Sequence, residues 1–271
     1  MRTKKFIISI DGGGIRGIIP LVLLRAIQNK IITDLRSFNP DWWGTSTGAL
    51  ISSGIVVQDE PDFNDAVQNI LDLYEFRAKF AVQQGADHSP SKAFQHLIDA
   101  NFGTVNLENL DNLNIIASEK ESLNPVIFNQ SNPTILAEAV KASCAFPGLF
   151  PAVKIKDDFY VDGFYKAKNP SRLSLSKYQE SDDLIILSLG TGVLPINDPA
   201  EIIANQDLNH LNELHKAGSI KHFRMNPELI FANAAMQNAT AKNILNLRKD
   251  AQRFVHNNPK LIDDFLSALT A

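Results

Sequence analysis

The sequence predicts an α/β fold: a three-layer α/β/α sandwich around a mostly parallel sheet, followed by a helical C-terminal third. Three observations carry this reading. Phe6-Ile7-Ile8-Ser9-Ile10 is an apolar run that stops at three glycines, the pattern of a buried strand meeting a turn. Leu184-Ile185-Ile186-Leu187-Ser188-Leu189 is continuous and apolar, as expected of an interior parallel strand covered on both faces. Between them, several segments repeat apolar residues at three- and four-residue spacing, so helices alternate with strands.

Taken in order, the first strand leads into a helix from Ile18 to about Leu35, marked by Leu21, Leu24, Ile27, Ile31 and Leu35. Asp41-Trp42-Trp43 reads as a short second strand closed by Gly44, and Gly48 to Val57 as a buried helix. Asp62 to Val82 has the pattern of a longer amphipathic helix, with Ala66, Ile70, Leu73, Phe76 and Phe80 on one side. Gly85 to Pro90 breaks the pattern. A helix over Ser91–Ala100, strands at Leu113–Ala117 and Val126–Asn129, and a helix over Thr134–Ser143 follow. Phe159-Tyr160-Val161 and the run from Leu184 complete the strands, and everything after residue 200 reads as helical. No repeat, low-complexity tract or linker divides the chain. A single domain over 1–271 is therefore expected, with its motifs between about residues 6 and 192.

Composition narrows the function classes. The 271 residues are 44% hydrophobic and 21% charged, ordinary for a globular protein. A chain of this length buries roughly three quarters of its unfolded surface, so no covalent staples are needed. That suits the one cysteine, Cys144, which has no internal partner. A net charge of -4, with no basic tract, argues against a nucleic-acid surface. The positive N-terminus is followed only by the short stretch Phe6 to Ile10 before Asp11, too little for a secretory signal. No run approaches the ~20 apolar residues of a membrane span. A cytoplasmic location is expected, with peripheral membrane contact left open.

Two motifs and one carboxylate could carry chemistry. Gly44-Thr45-Ser46-Thr47-Gly48 matches G-x-S-x-G, in which flanking glycines let a strand turn sharply into a helix and push the serine hydroxyl outward. The unpaired amides at the start of the next helix favour negative charge there. Asp11-Gly12-Gly13-Gly14-Ile15-Arg16-Gly17 supports two chemistries. Its Gly12, Gly14 and Gly17 fit the glycine pattern that seats a dinucleotide pyrophosphate. Its amides could equally hold the oxyanion of a tetrahedral intermediate. The dinucleotide use wants an acid ~20 residues on, at the end of a second strand; Asp34 has the distance but falls in the predicted helix. Asp162 ends a short apolar run and precedes Gly163, a placement that also suits a plain turn.

These elements, in this order, resemble the patatin-like phospholipase family. Asp11 to Gly17 is similar to its glycine-rich oxyanion motif, Gly44 to Gly48 to its nucleophile elbow, and Asp162-Gly163 to its aspartate motif. Ala142-Ser143-Cys144-Ala145-Phe146-Pro147, Asn169-Pro170 and Leu187-Ser188-Leu189-Gly190-Thr191-Gly192 resemble further family segments. Phe164 stands where the family usually has a second glycine after Asp-Gly, and Ala49 where it often has a glycine after the elbow.

The resemblance implies a patatin-like fold and a lipid or phospholipid acyl hydrolase without cofactor or metal. It implies a dyad in which Asp162 takes the proton of Ser46, with Gly12, Gly13 and Gly14 forming the oxyanion hole. Arg16 would brace the glycine loop, and Gly44, Gly48 and Gly163 would support the turns. The competing functions are a nucleotide-cofactor oxidoreductase built on Gly12–Gly17 and a silent scaffold that keeps the fold. Of the six histidines, His88, His96, His210, His215, His222 and His256, His88 and His96 show no metal-ligand spacing with another His, Cys or carboxylate, and His210 and His215 sit in a helical, polar context. Four of the six follow Asp162, so the Ser, Asp, His order of a hydrolase triad is formally available.

Overall fold

A computed structural model describes residues 3–77, 90–179, 182–195 and 197–271. The predicted breaker at 85–90 and residues Phe80, Val82 and His88 lie outside the described residues, apart from Pro90, which opens a helix.

One eight-stranded sheet runs through the molecule in the order β5-β6-β3-β2-β1-β7-β8, with β4 paired to β3 off this path. β1 (Lys4–Ile10), β2 (Asp41–Thr45), β3 (Leu113–Glu119), β7 (Asp183–Leu189) and β8 (Ile220–Met225) are parallel. β4 (Pro125–Phe128), β5 (Val153–Ile155) and β6 (Asp158–Asp162) run against their neighbours. The apolar runs of β1 and β7 are buried on both faces. Ile8 and Ile10 join the larger core, whereas Ile7, Trp43, Ile116 and Ile186 join a second core on the other face. This makes the three predicted layers.

Helices α1 (Ile18–Gln28), α2 (Thr47–Val57), α3 (Phe63–Asp72) and α5 (Leu136–Ser143) supply the larger core, and α4 (Pro90–Phe102) adds Ile98 and Phe102 to it. On the other face the chain forms two short helices, α6 (Phe164–Ala167) and α7 (Ser171–Ser174), and the long α8 (Pro199–Lys216). Finally α9 (Ala241–Asn257) packs on α1, and α10 (Pro259–Thr270) on β7 and β8. Ile262, Phe265, Leu266 and Leu269 of α10 are buried. The Phe265 ring lies 5.8 Å from Phe6 and 5.6 Å from Phe223.

Three expectations need correction. The first helix ends at Gln28 rather than near Leu35. The Gln28 side chain takes over the hydrogen bonding, accepting from the Leu35 N–H at 2.8 Å and donating to the Thr33 carbonyl at 3.2 Å, so the chain turns early. The helix expected over 62–82 gives way after Asp72 to a π-helical turn at Leu73–Arg77. The C-terminal third is not wholly helical: β8 lies within it, and short β5 was also missed. Half of Ile-Lys-His-Phe-Arg-Met is polar and half of the strand is only partly buried, so it lacks the continuous apolar signal of β7.

Candidate active site

Strand register brings the two candidate residues together. Thr45, the last residue of β2, pairs with Ile116 of β3. The next position on β3, Ala117, pairs with Asp162 at the end of β6. Because β4 occupies the opposite edge of β3 over the same residues, β2 and β6 approach one edge from opposite directions. Ser46 and Asp162 meet where they end, although 116 residues separate them. The Ser46 hydroxyl donates to Asp162 Oδ2 at 2.6 Å. Asp162 Oδ1 accepts the Phe164 N–H at 2.8 Å. Both residues are buried.

The elbow is strained where the motif requires it. Ser46 has φ 55° and ψ -120°, a region that costs a non-glycine residue on the order of 1–3 kcal/mol. Gly48 permits the close packing: a Cβ there would lie 2.1 Å from the Ile10 carbonyl oxygen. At Gly44 a Cβ would meet the Gly48 carbonyl at 2.3 Å. Ser143 supports the turn from below, accepting the Ser46 N–H at 2.8 Å and donating to the Ile116 carbonyl. The Asp162 N–H in turn donates to the Ala145 carbonyl at 3.1 Å. The small-residue segment noted in the sequence therefore ties both candidates to one loop. Sequence reasoning gave Ser143 no role.

Burial pushes the Asp162 carboxyl up to about 7, against the pull of its bonds from Ser46 and Phe164. Cys144 lies beside the pair, and burial raises its thiol well above the ordinary value. Ser46 and Asp162 open into a cavity of about 100 Å³ lined by Leu50, Leu73, Phe94, Leu97, Leu149 and Phe150, with Gly14 and Met236 at the glycine-loop side. The Phe94 and Phe150 rings pack against each other at 4.8 Å.

The glycine loop borders the serine: a Cβ on Gly12 would lie 3.3 Å from Ser46 Cβ. Of the three expected oxyanion amides, the Gly12 N–H donates to the Lys168 carbonyl at 2.9 Å. The loop must cross the strand ends, and this bond anchors it there. Among the described residues, the N–H groups of Gly13 and Gly14 have no acceptor.

Their directions are fixed from behind. Thr191 Oγ1 donates to the Gly12 carbonyl at 2.7 Å, and the Arg16 backbone N–H and Nε both donate to the Gly13 carbonyl at 3.2 Å. In a trans peptide the C=O and N–H point opposite ways, so holding these carbonyls aims the Gly13 and Gly14 N–H groups away from the anchors. Arg16 is fully buried, and burial lowers its guanidinium to about 10. Its two bonds tie it to the Gly13 carbonyl.

Other candidates are placed elsewhere. Asp34 pairs with Arg36 at 2.7 Å and caps a 3-10 turn before β2. β2 itself ends at Thr45, so Asp34 does not stand where a dinucleotide ribose is bound. Gly163 packs against Ile116 and Thr45, and Phe164 is buried with Phe146, whose ring is 5.8 Å away. Phe164 fills space beside Gly12: a Cβ on that glycine would touch its ring at 3.0 Å. Among the described histidines none lines the cavity. His222 is buried in β8, where desolvation lowers it to about 3.

A family description, patatin-like phospholipase, matches residues 8–173, which take in the end of β1, the glycine loop, the elbow and Asp162. The chain belongs to this family. Patatin-like protein 3 of Arabidopsis thaliana is 28% identical over 63% of this chain and 51% of its own length. The intracellular phospholipase A2 of Caenorhabditis elegans is 28% identical over 72% of this chain and 20% of its own. The cUMP-AMP-activated phospholipase of Escherichia coli is 25% identical over 71% of this chain and 66% of its own. This patatin-like chain thus spans from a fifth to two thirds of these relatives. Among the described residues no helix is long and apolar enough to cross a membrane.

Proposed function

We propose that this patatin-like chain is a serine acyl hydrolase that cleaves carboxylic esters of lipids or phospholipids through an acyl-enzyme. The observation that carries the reading is the 2.6 Å bond from Ser46 Oγ to Asp162 Oδ2 at one end of an apolar cavity. Ionised Asp162 accepts the hydroxyl proton as Ser46 attacks the ester carbonyl. The Gly13 and Gly14 N–H groups bind the resulting oxyanion, a contribution that preorganised donors make at no reorganisation cost. The tetrahedral intermediate collapses, and protonated Asp162 gives its proton to the departing alkoxide. Water then attacks the acyl-enzyme with Asp162 again taking the proton; as the second tetrahedral intermediate collapses, Asp162 returns that proton to the departing Ser46 Oγ, and the free carboxylic acid leaves.

An unperturbed carboxylate near ~3.9 is a weak base for serine; burial that raises Asp162 to about 7 narrows that gap. The leucines and phenylalanines of the cavity suit an acyl chain, since apolar surface leaves water favourably there. The protein would meet such substrates at a lipid surface, by peripheral contact.

The test is a fluorophosphonate probe on the folded protein, with peptide mass spectrometry and turnover of a short-chain p-nitrophenyl ester and phosphatidylcholine vesicles. Labelling at Ser46 with ester hydrolysis is expected. Hydrolysis that persists in Ser46→Ala, or a folded protein that neither labels nor hydrolyses, would overturn the reading.

A further inference from the structure

β8 lies beyond the family match, which ends at residue 173, yet it reaches the glycine loop. Arg224 of β8 grips Asp11, the residue before the three glycines. Its Nη1 and Nη2 donate to the two Asp11 oxygens at 2.8 and 2.6 Å, and Nη1 also donates to Ser188 Oγ at 2.8 Å. Asp11 is fully buried. A carboxylate there needs a paired, hydrogen-bonded cation, and the planar guanidinium matches both oxygens as an ammonium cannot.

Two residues on, Asn226 holds the other side of the loop. Its Oδ1 accepts the Gly192 N–H at 2.8 Å, and its side chain fills the space a Cβ on Gly190 would need. Between those glycines stands Thr191, whose hydroxyl holds the Gly12 carbonyl and whose side chain packs on Gly13. The segment from Arg224 to Asn226 thus supports the Gly12–Gly13 peptide from both its start and its back.

We propose that Arg224 is a positioning residue for the oxyanion amides, acting through Asp11. The inference rests on the hydrolase reading above. Arg224 does not line the cavity; its effect is on where the Gly13 and Gly14 N–H groups point when the oxyanion forms. Loss of one such donor costs ~10²–10³ in turnover, and a loop displaced but still present should cost less.

The experiment compares wild type, Arg224→Lys, Arg224→Gln and the pair Asp11→Asn with Arg224→Gln, each full length and checked by circular dichroism. Readouts are kcat and KM for a short-chain ester and the rate of fluorophosphonate labelling. Arg224→Lys keeps the charge but not the two-pronged grip. It should lower kcat and the labelling rate about tenfold while KM changes less than threefold. Arg224→Gln should fall about a hundredfold, again in kcat. The pair removes both charges, so a fold lost through an orphaned Asp11 should return in it while kcat stays low. Wild-type kcat in Arg224→Lys, or in any folded Gln variant, would overturn the proposal, as would a loss confined to KM or to melting temperature. A wild-type protein that does not hydrolyse or label would instead overturn the hydrolase reading.

Discussion

Phe164 holds one oxygen of Asp162 and leaves the other to Ser46. Its backbone N–H donates to Oδ1 at 2.8 Å, while Oδ2 faces the serine hydroxyl at 2.6 Å. The carboxylate therefore sits in one orientation, in a place dry enough to raise its pKa to about 7. Both facts have measurable consequences.

The first concerns pH. Asp162 acts as a base only when ionised, so kcat/KM should rise with pH through about 7 and level off above it. The stability effect has the opposite sign. Between pH ~4 and about 7 folded Asp162 holds a proton that the unfolded chain has released, so stability falls as pH rises. A shift from 3.8 to about 7 corresponds to a loss on the order of 4 kcal/mol above pH 7. Asp162→Asn, which cannot ionise, should melt higher than wild type at pH 8 while ester turnover is near zero. An equal or lower melting temperature would contradict this account of its burial.

The second concerns histidine. In a triad, replacing the histidine costs several orders of magnitude. No described histidine lines the cavity. Single replacements of His88, His96, His210, His215, His222 and His256 should each leave appreciable turnover of a short-chain ester. Ser46→Ala, Asp162→Asn and their double variant should be about equally inactive, because the two act as one unit. A folded histidine variant as inactive as Ser46→Ala would point to a triad.

The third concerns the glycine loop. A methyl on Gly13 would lie 2.3 Å from Thr191 Oγ1, the atom that fixes the Gly12 carbonyl. Gly14 has φ +59°, and a Cβ there would lie 2.6 Å from the Met236 carbonyl oxygen. Gly13→Ala and Gly14→Ala should each lower kcat by ~10²–10³ with the circular dichroism spectrum retained. Near-normal turnover in both would remove these amides from the mechanism.

The fourth concerns α10. Deleting residues 259–271 uncovers the patch that Ile262, Phe265, Leu266 and Leu269 cover. At roughly 1.5–3 kcal/mol for each large buried side chain, the loss is comparable to a domain's whole margin of ~5–15 kcal/mol. The truncated chain should melt far lower or fail to fold. A truncation that melts like the full chain but loses vesicle binding would assign this face to the membrane instead.

The sequence by itself determined what local chemistry dictates. β1 and β7 were legible because strands buried on both faces must be apolar throughout. The elbow and the glycine loop were legible because their turns tolerate so few residue types. Asp162 was legible only through the resemblance, since Asp-Gly alone is a common turn. Tertiary structure decided the rest. That Ser46 faces Asp162 follows from adjacent positions on β3, Ile116 and Ala117, receiving two strands from opposite directions, and register leaves no local trace. Gly12 lost its amide to Lys168 because the loop crosses the strand ends. β8 escaped notice because half of it is polar, and with it went Arg224. Its partner Asp11 lies 213 residues earlier in the chain, and a contact over that separation is made by folding alone.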